Sequence, residues 1–234
     1  MTAAQFDIPR DWTFKNSAVA AAFDRHVREQ LPWYDLATGA VAHVARHYIP
    51  ERGRVYDLGA STGNIGNAIA ATLDARRAQL VSVEASPEMA AQYAGPQAGR
   101  LVVGDIREIE FEPFDLAVAF LTLMFVPVVD RRALLDRLRR ALRPGGAIVV
   151  FDKTEASRGY AATVVWRLAL AGKLAAGVAA DDIVAKELSL GGVQRPVDPA
   201  LFGNEALEFF RFGEFAGWLI EAPYAISEAE PLRI

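Results

Sequence analysis

A glycine-rich turn between a short strand and a helix constrains this chain more than any other feature. Residues 55–58 form a short β-rich run, and glycines follow at Gly59, Gly63 and Gly66. Apolar residues at helical spacing come next, which predicts a strand, a tight loop and a helix. The first N–H groups of such a helix lack helical partners and attract an anion or carboxylate. The glycine spacing differs from the dinucleotide-binding pattern G-x-G-x-x-G. The loop alone therefore indicates only a nucleotide-like ligand, and a purely structural loop is the alternative.

Strands and helices alternate along the middle of the chain. Continuous apolar strands separated by amphipathic helices predict an α/β fold, with a mostly parallel sheet covered on both faces. Two later runs flank a Gly-Glu turn and predict a terminal antiparallel hairpin. The predicted strands span residues 55–58, 80–84, 101–104, 116–120, 147–151, 207–212 and 215–220.

The length of 234 residues and the mass of 25.4 kDa fit one domain with room for a cap over its ligand. Helical patterns precede and follow the alternating core, so we expect them to cover it. The predicted parts are a helical lid (1–53), a ligand-binding core (54–152), a helical cap (153–200) and the hairpin (201–234).

Composition excludes several kinds of site. The chain has no cysteine, which excludes disulfides and thiolate metal sites and favours a cytoplasmic location. No apolar run reaches the roughly 18 residues of a membrane span, and we expect no signal peptide. A net charge of −4 disfavours a broad nucleic-acid surface. His43 and His47 lie four residues apart but lack a third ligand at suitable spacing, so no metal is expected.

Acidic side chains stand at the ends of successive predicted strands. Glu84 ends the second strand and could accept both hydrogen bonds of a ribose diol; Asp105 ends the third strand and could meet an adenine amine. Either could instead be an ordinary surface acid or a helix cap. Phe120 ends the fourth strand. Because ligands of open α/β sheets bind at the carboxyl ends of the strands, this order favours a nucleoside site.

The order of these segments resembles the class I S-adenosylmethionine (SAM)-dependent methyltransferases across residues 54–152. The glycine loop is similar to their motif I, and segments 83–89, 104–106 and 142–146 are similar to the segments that follow it. The resemblance implies a Rossmann-like class I fold, with a mostly parallel seven-stranded sheet, a C-terminal antiparallel hairpin and a helical cap. It also implies SAM as the cofactor.

A narrower resemblance, to carboxy-S-adenosylmethionine synthases, covers nearly the whole chain. It lies in residues 11–14, 32–34, 55–59, 104–107, 121–125, 133–136 and 211–213. Those enzymes attach a carboxyl group from prephenate to the SAM methyl group, for a tRNA wobble-uridine modification. Together the resemblances imply a cofactor pocket lined by Tyr34, Asp57, Gly59, Ala60, Ser61, Gly63, Glu84, Ala85, Asp105, Ile106 and Phe120.

Two departures from that narrower family bear on the reaction. The family has Asn at the fourth strand end, where this chain has Phe120, and an arginine in the cap, where an ungapped comparison places Glu187. An acid repels the added carboxylate, although Lys186 or Arg195 could serve after a small shift. We therefore expect SAM-dependent methyl transfer to a small molecule. A carboxy-SAM synthase-like enzyme, with carboxy-SAM as its ligand, and a non-catalytic SAM-binding partner are the alternatives.

No general base stands out, and Tyr34 and His26 are the candidate catalytic residues. Glu187 and Arg195 are the candidate substrate residues. A predicted helix at 131–142 is rich in arginine, which we interpret as the solvent face of an amphipathic helix; a tRNA-contacting stripe is the alternative. A tRNA partner and a homodimer stay open. The arginines are Arg131, Arg132, Arg137, Arg139, Arg140 and Arg143.

Overall fold

A computed structural model describes residues 8–155 and 159–222. Its sheet has seven strands in the order β3-β2-β1-β4-β5-β7-β6. Strands β1 to β5 are parallel, whereas β7 pairs antiparallel with both β5 and β6. This confirms the predicted fold class. The strands are β1 (Arg54–Leu58), β2 (Gln79–Glu84), β3 (Gly99–Val103), β4 (Phe114–Phe120), β5 (Leu142–Lys153), β6 (Leu207–Phe212) and β7 (Phe215–Glu221).

Seven α-helices are present in the described ranges. The Asn16 side chain caps helix α1, because it accepts hydrogen bonds from the backbone N–H groups of Ala18 and Val19. Asp35 and Asp130 lie in the first turns of α2 and α5, where a negative charge is favourable. The helices are α1 (Ser17–Gln30), α2 (Tyr34–Tyr48), α3 (Asn64–Arg76), α4 (Pro87–Ala90), α5 (Val128–Ala141), α6 (Tyr160–Ala175) and α7 (Ala180–Ser189).

Apolar side chains fill both faces of the sheet. On one face, Val41 of α2, Ile69 of α3 and Leu116 of β4 belong to the same core cluster. On the other, Leu134 and Leu138 of α5 belong to the second core cluster. All seven residues of β4 are buried, as expected for a central parallel strand covered on both faces. None of the helices within the described ranges has the length and hydropathy needed to cross a membrane.

The first glycine of the loop is held against the end of β4. Gly59 has a φ of +75°, and a Cβ there would lie 2.7 Å from the Thr122 side chain. The Thr122 hydroxyl in turn donates to the Leu58 carbonyl at 2.7 Å. The glycine is therefore required both by its left-handed backbone and by this close approach.

Gly59→Ala should lower the free energy of unfolding by about 1–3 kcal/mol, because alanine is strained at positive φ and would displace Thr122. Gly39 is a matched control. It lies within α2, and a Cβ there meets nothing within 4 Å. Gly39→Ala should stabilise by about 0.5–1 kcal/mol through the better helix propensity of alanine. Urea denaturation of both variants measures the difference, and equal effects would contradict the assigned strain.

Candidate active site

A cavity of about 310 Å³ opens at the carboxyl ends of the strands. One part, the loop half, lies over β1, β2 and β3 and is lined by Asp57, Glu84 and Asp105. The other part, the cap half, lies beyond β4, and its charged lining comes from β5, α6, α7 and the β6–β7 turn. In the sheet order, β1, β2 and β3 lie on one side of β4, whereas β5 and the hairpin lie on the other. Since adjacent strands are ~4.8 Å apart, the two halves lie side by side along the edge of the sheet. The cap half has the charged residues Lys153, Lys173, Lys186, Glu187 and Glu214.

Most of the residues expected at the site line this cavity. Gly63 and Arg195 do not. Gly63 has a φ of +96° and begins α3, and a Cβ there would lie 2.8 Å from the Gly95 backbone. Arg195 is exposed, and its backbone N–H donates to the Met124 carbonyl at 2.8 Å. The expected residues in the lining are His26, Tyr34, Asp57, Gly59, Ala60, Ser61, Glu84, Ala85, Asp105, Ile106, Phe120 and Glu187.

Two buried oxygens in the loop half have no hydrogen-bond partner among the described residues. They are Oδ2 of Asp57 and Oγ of Ser61. Burial raises the pKa of Asp57 to about 7, and the nearby charge of Glu84 adds to the rise. Since buried polar atoms are normally paired, these two oxygens are suited to a polar ligand.

Glu84 fixes the glycine loop and still faces the cavity. One carboxylate oxygen accepts from the Ser61 backbone N–H and the other from that of Ser86, each at 2.8 Å. Burial raises the pKa of Glu84, although these backbone hydrogen bonds oppose the rise. Because each oxygen has a second lone pair, the carboxylate retains the capacity to accept hydroxyl hydrogen bonds.

Asp105 is engaged by a neighbour that the sequence did not single out. Its carboxylate accepts from Arg107 Nη2 at 2.6 Å, and Arg107 Nη1 donates to Asp130 at 2.8 Å. The hydrogen bond from Arg107 lowers the pKa of Asp105. Ile106, which is buried, supplies the apolar surface beside it.

Aromatic rings stand where the two halves meet. Tyr34 contacts Phe120 edge-on at 5.5 Å between centroids, and Phe120 stacks on Phe151 at 4.8 Å. The Arg28 guanidinium lies 5.1 Å from the centre of the Tyr34 ring. Burial raises the pKa of Tyr34 above its ordinary value, so its phenol stays protonated at neutral pH and can both donate and accept hydrogen bonds.

Two lysines compensate the charge of Glu187. Its carboxylate lies 3.0 Å from Lys173 Nζ and 3.9 Å from Lys153 Nζ, and Lys153 also lies 3.6 Å from Glu214. Burial tends to raise the pKa of Glu187, but the charges of Lys153 and Lys173 outweigh it and lower the pKa. Repulsion of an anionic ligand by Glu187 is therefore weaker than the sequence suggested.

The segment around Trp12 packs over the cap half. Its backbone N–H donates to the Ser189 carbonyl of α7 at 2.9 Å. The ring stacks on His26 at 5.4 Å between centroids, and the Lys186 ammonium lies over its face. Burial lowers the pKa of His26 to about 4, and the charge of Lys186 contributes. Trp12 and His26 are both buried where they border the cavity.

The arginine-rich helix is largely bound to the protein itself. Arg131 is 3% exposed, so its assignment to the solvent face is wrong. Arg139 donates to the Phe202 carbonyl, and Arg143 lies 2.8 Å from Asp115. Arg137 donates to two carbonyls of the segment that follows Asp105. Because these arginines already bond to groups of the protein, they are less available to contact the phosphates of a tRNA.

Residues 55–146 match the family described as a methyltransferase domain. The matched stretch contains the glycine loop, Glu84, Asp105 and strand β4, all of which form the loop half. This match supports an enzyme that uses SAM, in agreement with the cofactor expected from the sequence.

Individual similar proteins span most of the length of this chain. A carboxy-S-adenosyl-L-methionine synthase from Shewanella sp. (strain ANA-3) is 29% identical over 215 residues, covering 89% of this chain and 88% of the relative. The DhpI–SAH complex has a TM-score of 0.56 at 19% identity, covering 88% and 93% of the two chains. Human N-acetylserotonin methyltransferase in complex with SAM has a TM-score of 0.57 at 11% identity, covering 90% and 57%. The two structures support the fold.

The loop half combines hydrogen-bond acceptors with apolar surface. Asp57 and Ser61 present unpaired acceptors, Glu84 keeps free lone pairs, and Ile106 and Phe120 give apolar surface. No group of three or more His, Asp or Glu side chains arranged to hold a metal occurs in the described ranges. His43 and His47 contact each other at 5.2 Å between ring centroids.

Proposed function

We propose that this enzyme transfers the methyl group of SAM to a small-molecule acceptor bound in the cap half of the cavity. The division of one cavity into two chemically different halves carries the proposal. The loop half offers hydrogen-bond acceptors at the ends of β1 and β2, whereas the cap half presents lysines and carboxylates beside apolar rings. Such a division fits a cofactor and a second, separate ligand.

Asp57, Ser61 and Glu84 are the residues proposed to hold the polar groups of SAM, with Ile106 and Phe120 against its apolar surfaces. When bound, SAM supplies a methyl group activated by a sulfonium. The protein contributes orientation and exclusion of water by Tyr34 and Phe120, which are both buried. Positioning two reactants in a water-poor site can supply much of a rate enhancement, ~7–11 kcal/mol in well-oriented systems.

A carboxy-SAM synthase-like activity is the second candidate, and two observations favour it. The curated relative from Shewanella has that name and matches 89% of this chain. In addition, Lys153 and Lys173 surround Glu187, so the cap half can accommodate an anionic group despite that acid. Phe120 in place of the family's Asn still favours SAM itself. A contribution to tRNA modification follows only from this second candidate.

Mass spectrometry of the ligand that copurifies with the protein distinguishes the two candidates. We expect SAM or its demethylated product, and a carboxylated SAM would favour the second candidate. The same measurement on Asp57→Asn protein is the control, because loss of a ligand acceptor should reduce the retained nucleoside. If no nucleoside is retained and calorimetry shows no binding of added SAM, both candidates fail.

A further inference from the structure

Lys186 differs from the other two lysines of the cap half. Lys153 and Lys173 each lie within 4.0 Å of a carboxylate, but Lys186 makes no ion pair or hydrogen bond through its side chain to any described residue. It is only 9% exposed and lines the cavity. Its ammonium lies over the face of the Trp12 ring. A buried lysine that faces a ligand cavity without an ion-paired carboxylate requires an explanation.

We propose that Lys186 is a neutral amine in the free enzyme and is the base that takes the proton of the acceptor, an inference that rests on the proposed methyl transfer. The acceptor class is then a molecule with a weakly acidic O–H or N–H group. The lone pair of Lys186 Nζ takes the proton, and the acceptor heteroatom uses the released electron pair to bond to the methyl carbon. The departing sulfur keeps the pair of the broken carbon–sulfur bond, and Lys186 later returns the proton to water.

The surroundings of Lys186 favour its neutral form. Burial and, to a lesser extent, the like charge of Lys173 on α6 lower its pKa to about 6, whereas Glu187 opposes the change. His26 on α1 faces the same region but is itself neutral above pH 4. The Trp12 face attracts a cation and so opposes part of the lowering. A base whose pKa lies near the working pH is the most effective one.

The other titratable groups of the cavity are less suited to this role. Burial keeps the Tyr34 phenol protonated, and His26, with a pKa of about 4, is a weak base. Glu187 is held by Lys153 and Lys173, and Glu214 at the β6–β7 turn lies 3.6 Å from Lys153. Lys186 therefore has the one unpaired side-chain nitrogen among the described lysines of the cap half.

Competitive labelling with acetic anhydride, followed by peptide mass spectrometry, measures the titration of Lys186 directly. Labelling runs from pH 5 to 10 on the full chain, with circular dichroism to confirm that it stays folded. Exposed Lys15 is the reference within the same sample. We expect Lys186 to become reactive at least ~2 pH units below Lys15. In Lys173→Met protein the labelling of Lys186 should move to higher pH, because a like charge is lost and Glu187 is released.

Two results would overturn the inference. Labelling of Lys186 that follows Lys15 would mean a charged ammonium at neutral pH, and absence of label at every pH would mean that the amine is closed to the cavity. Calorimetry with SAM on the same preparation tests the proposed function separately. If the protein binds SAM but Lys186 titrates like Lys15, only the role of Lys186 as a base is rejected. If Lys186 titrates at low pH but the protein does not bind SAM, the proposed methyl transfer is rejected.

Discussion

Arg131→Ala should lower the free energy of unfolding by about 3–5 kcal/mol, because it removes the donors of three hydrogen bonds made by a buried side chain. The buried guanidinium donates to the carbonyls of Val126, Pro196 and Arg195 at 2.9, 2.9 and 2.7 Å. It therefore joins the segment after β4 to the segment that follows α7. Alanine would leave these carbonyls without their donors. Urea denaturation followed by circular dichroism measures the loss.

Arg132→Ala is the matched control, because Arg132 is the next residue of the same helix and is exposed. Its removal should change the free energy of unfolding by no more than about 0.5 kcal/mol. Similar small effects of both variants would contradict the proposal that the hydrogen bonds of Arg131 join the two segments. A large loss at Arg131 alone would show that this arginine holds the two segments together.

Asp57→Asn should weaken SAM binding by about 10- to 100-fold while stabilising the free protein above neutral pH. Burial raises the pKa of Asp57 from 3.8 to about 7. Between these two values the native state binds more protons than the unfolded state, so the stability contributed by this group falls as pH rises. Asparagine has no charge to bury. The gain should therefore be small at pH 4 and reach about 1–3 kcal/mol at pH 8.

Calorimetry with SAM and urea denaturation at pH 4 and pH 8 measure the two effects of Asp57→Asn. Asp74→Asn is the control, since Asp74 is exposed on α3, outside the cavity lining, and should change neither quantity. Unchanged SAM affinity in Asp57→Asn would remove Asp57 from the proposed site. A loss of stability at both pH values would mean that the charged carboxylate of Asp57 stabilises the fold of the free protein.

The sequence determined the sheet and the loop half of the cavity through local patterns. A strand buried on both faces must be continuously apolar, which is why β1, β2, β4 and β5 could be located from hydrophobic runs. Parallel strands end at one edge, so acids at the ends of successive strands come together there. Glu84 and Asp105 reach the same cavity for this reason. Gly59 was evident because few other residues tolerate its backbone conformation.

Only the tertiary structure decided the side-chain environments in the cap half and along α5. Lys186 and Glu187 are adjacent in sequence, yet the first lies over Trp12 and the second pairs with Lys173 and Lys153. These partners come from distant segments of the chain, and no local pattern states which will meet. Arg131 is likewise buried, and its guanidinium donates hydrogen bonds to carbonyls of two other segments. Charge state and ion pairing depend on burial and on spatial neighbours, so they follow from packing and not from sequence order.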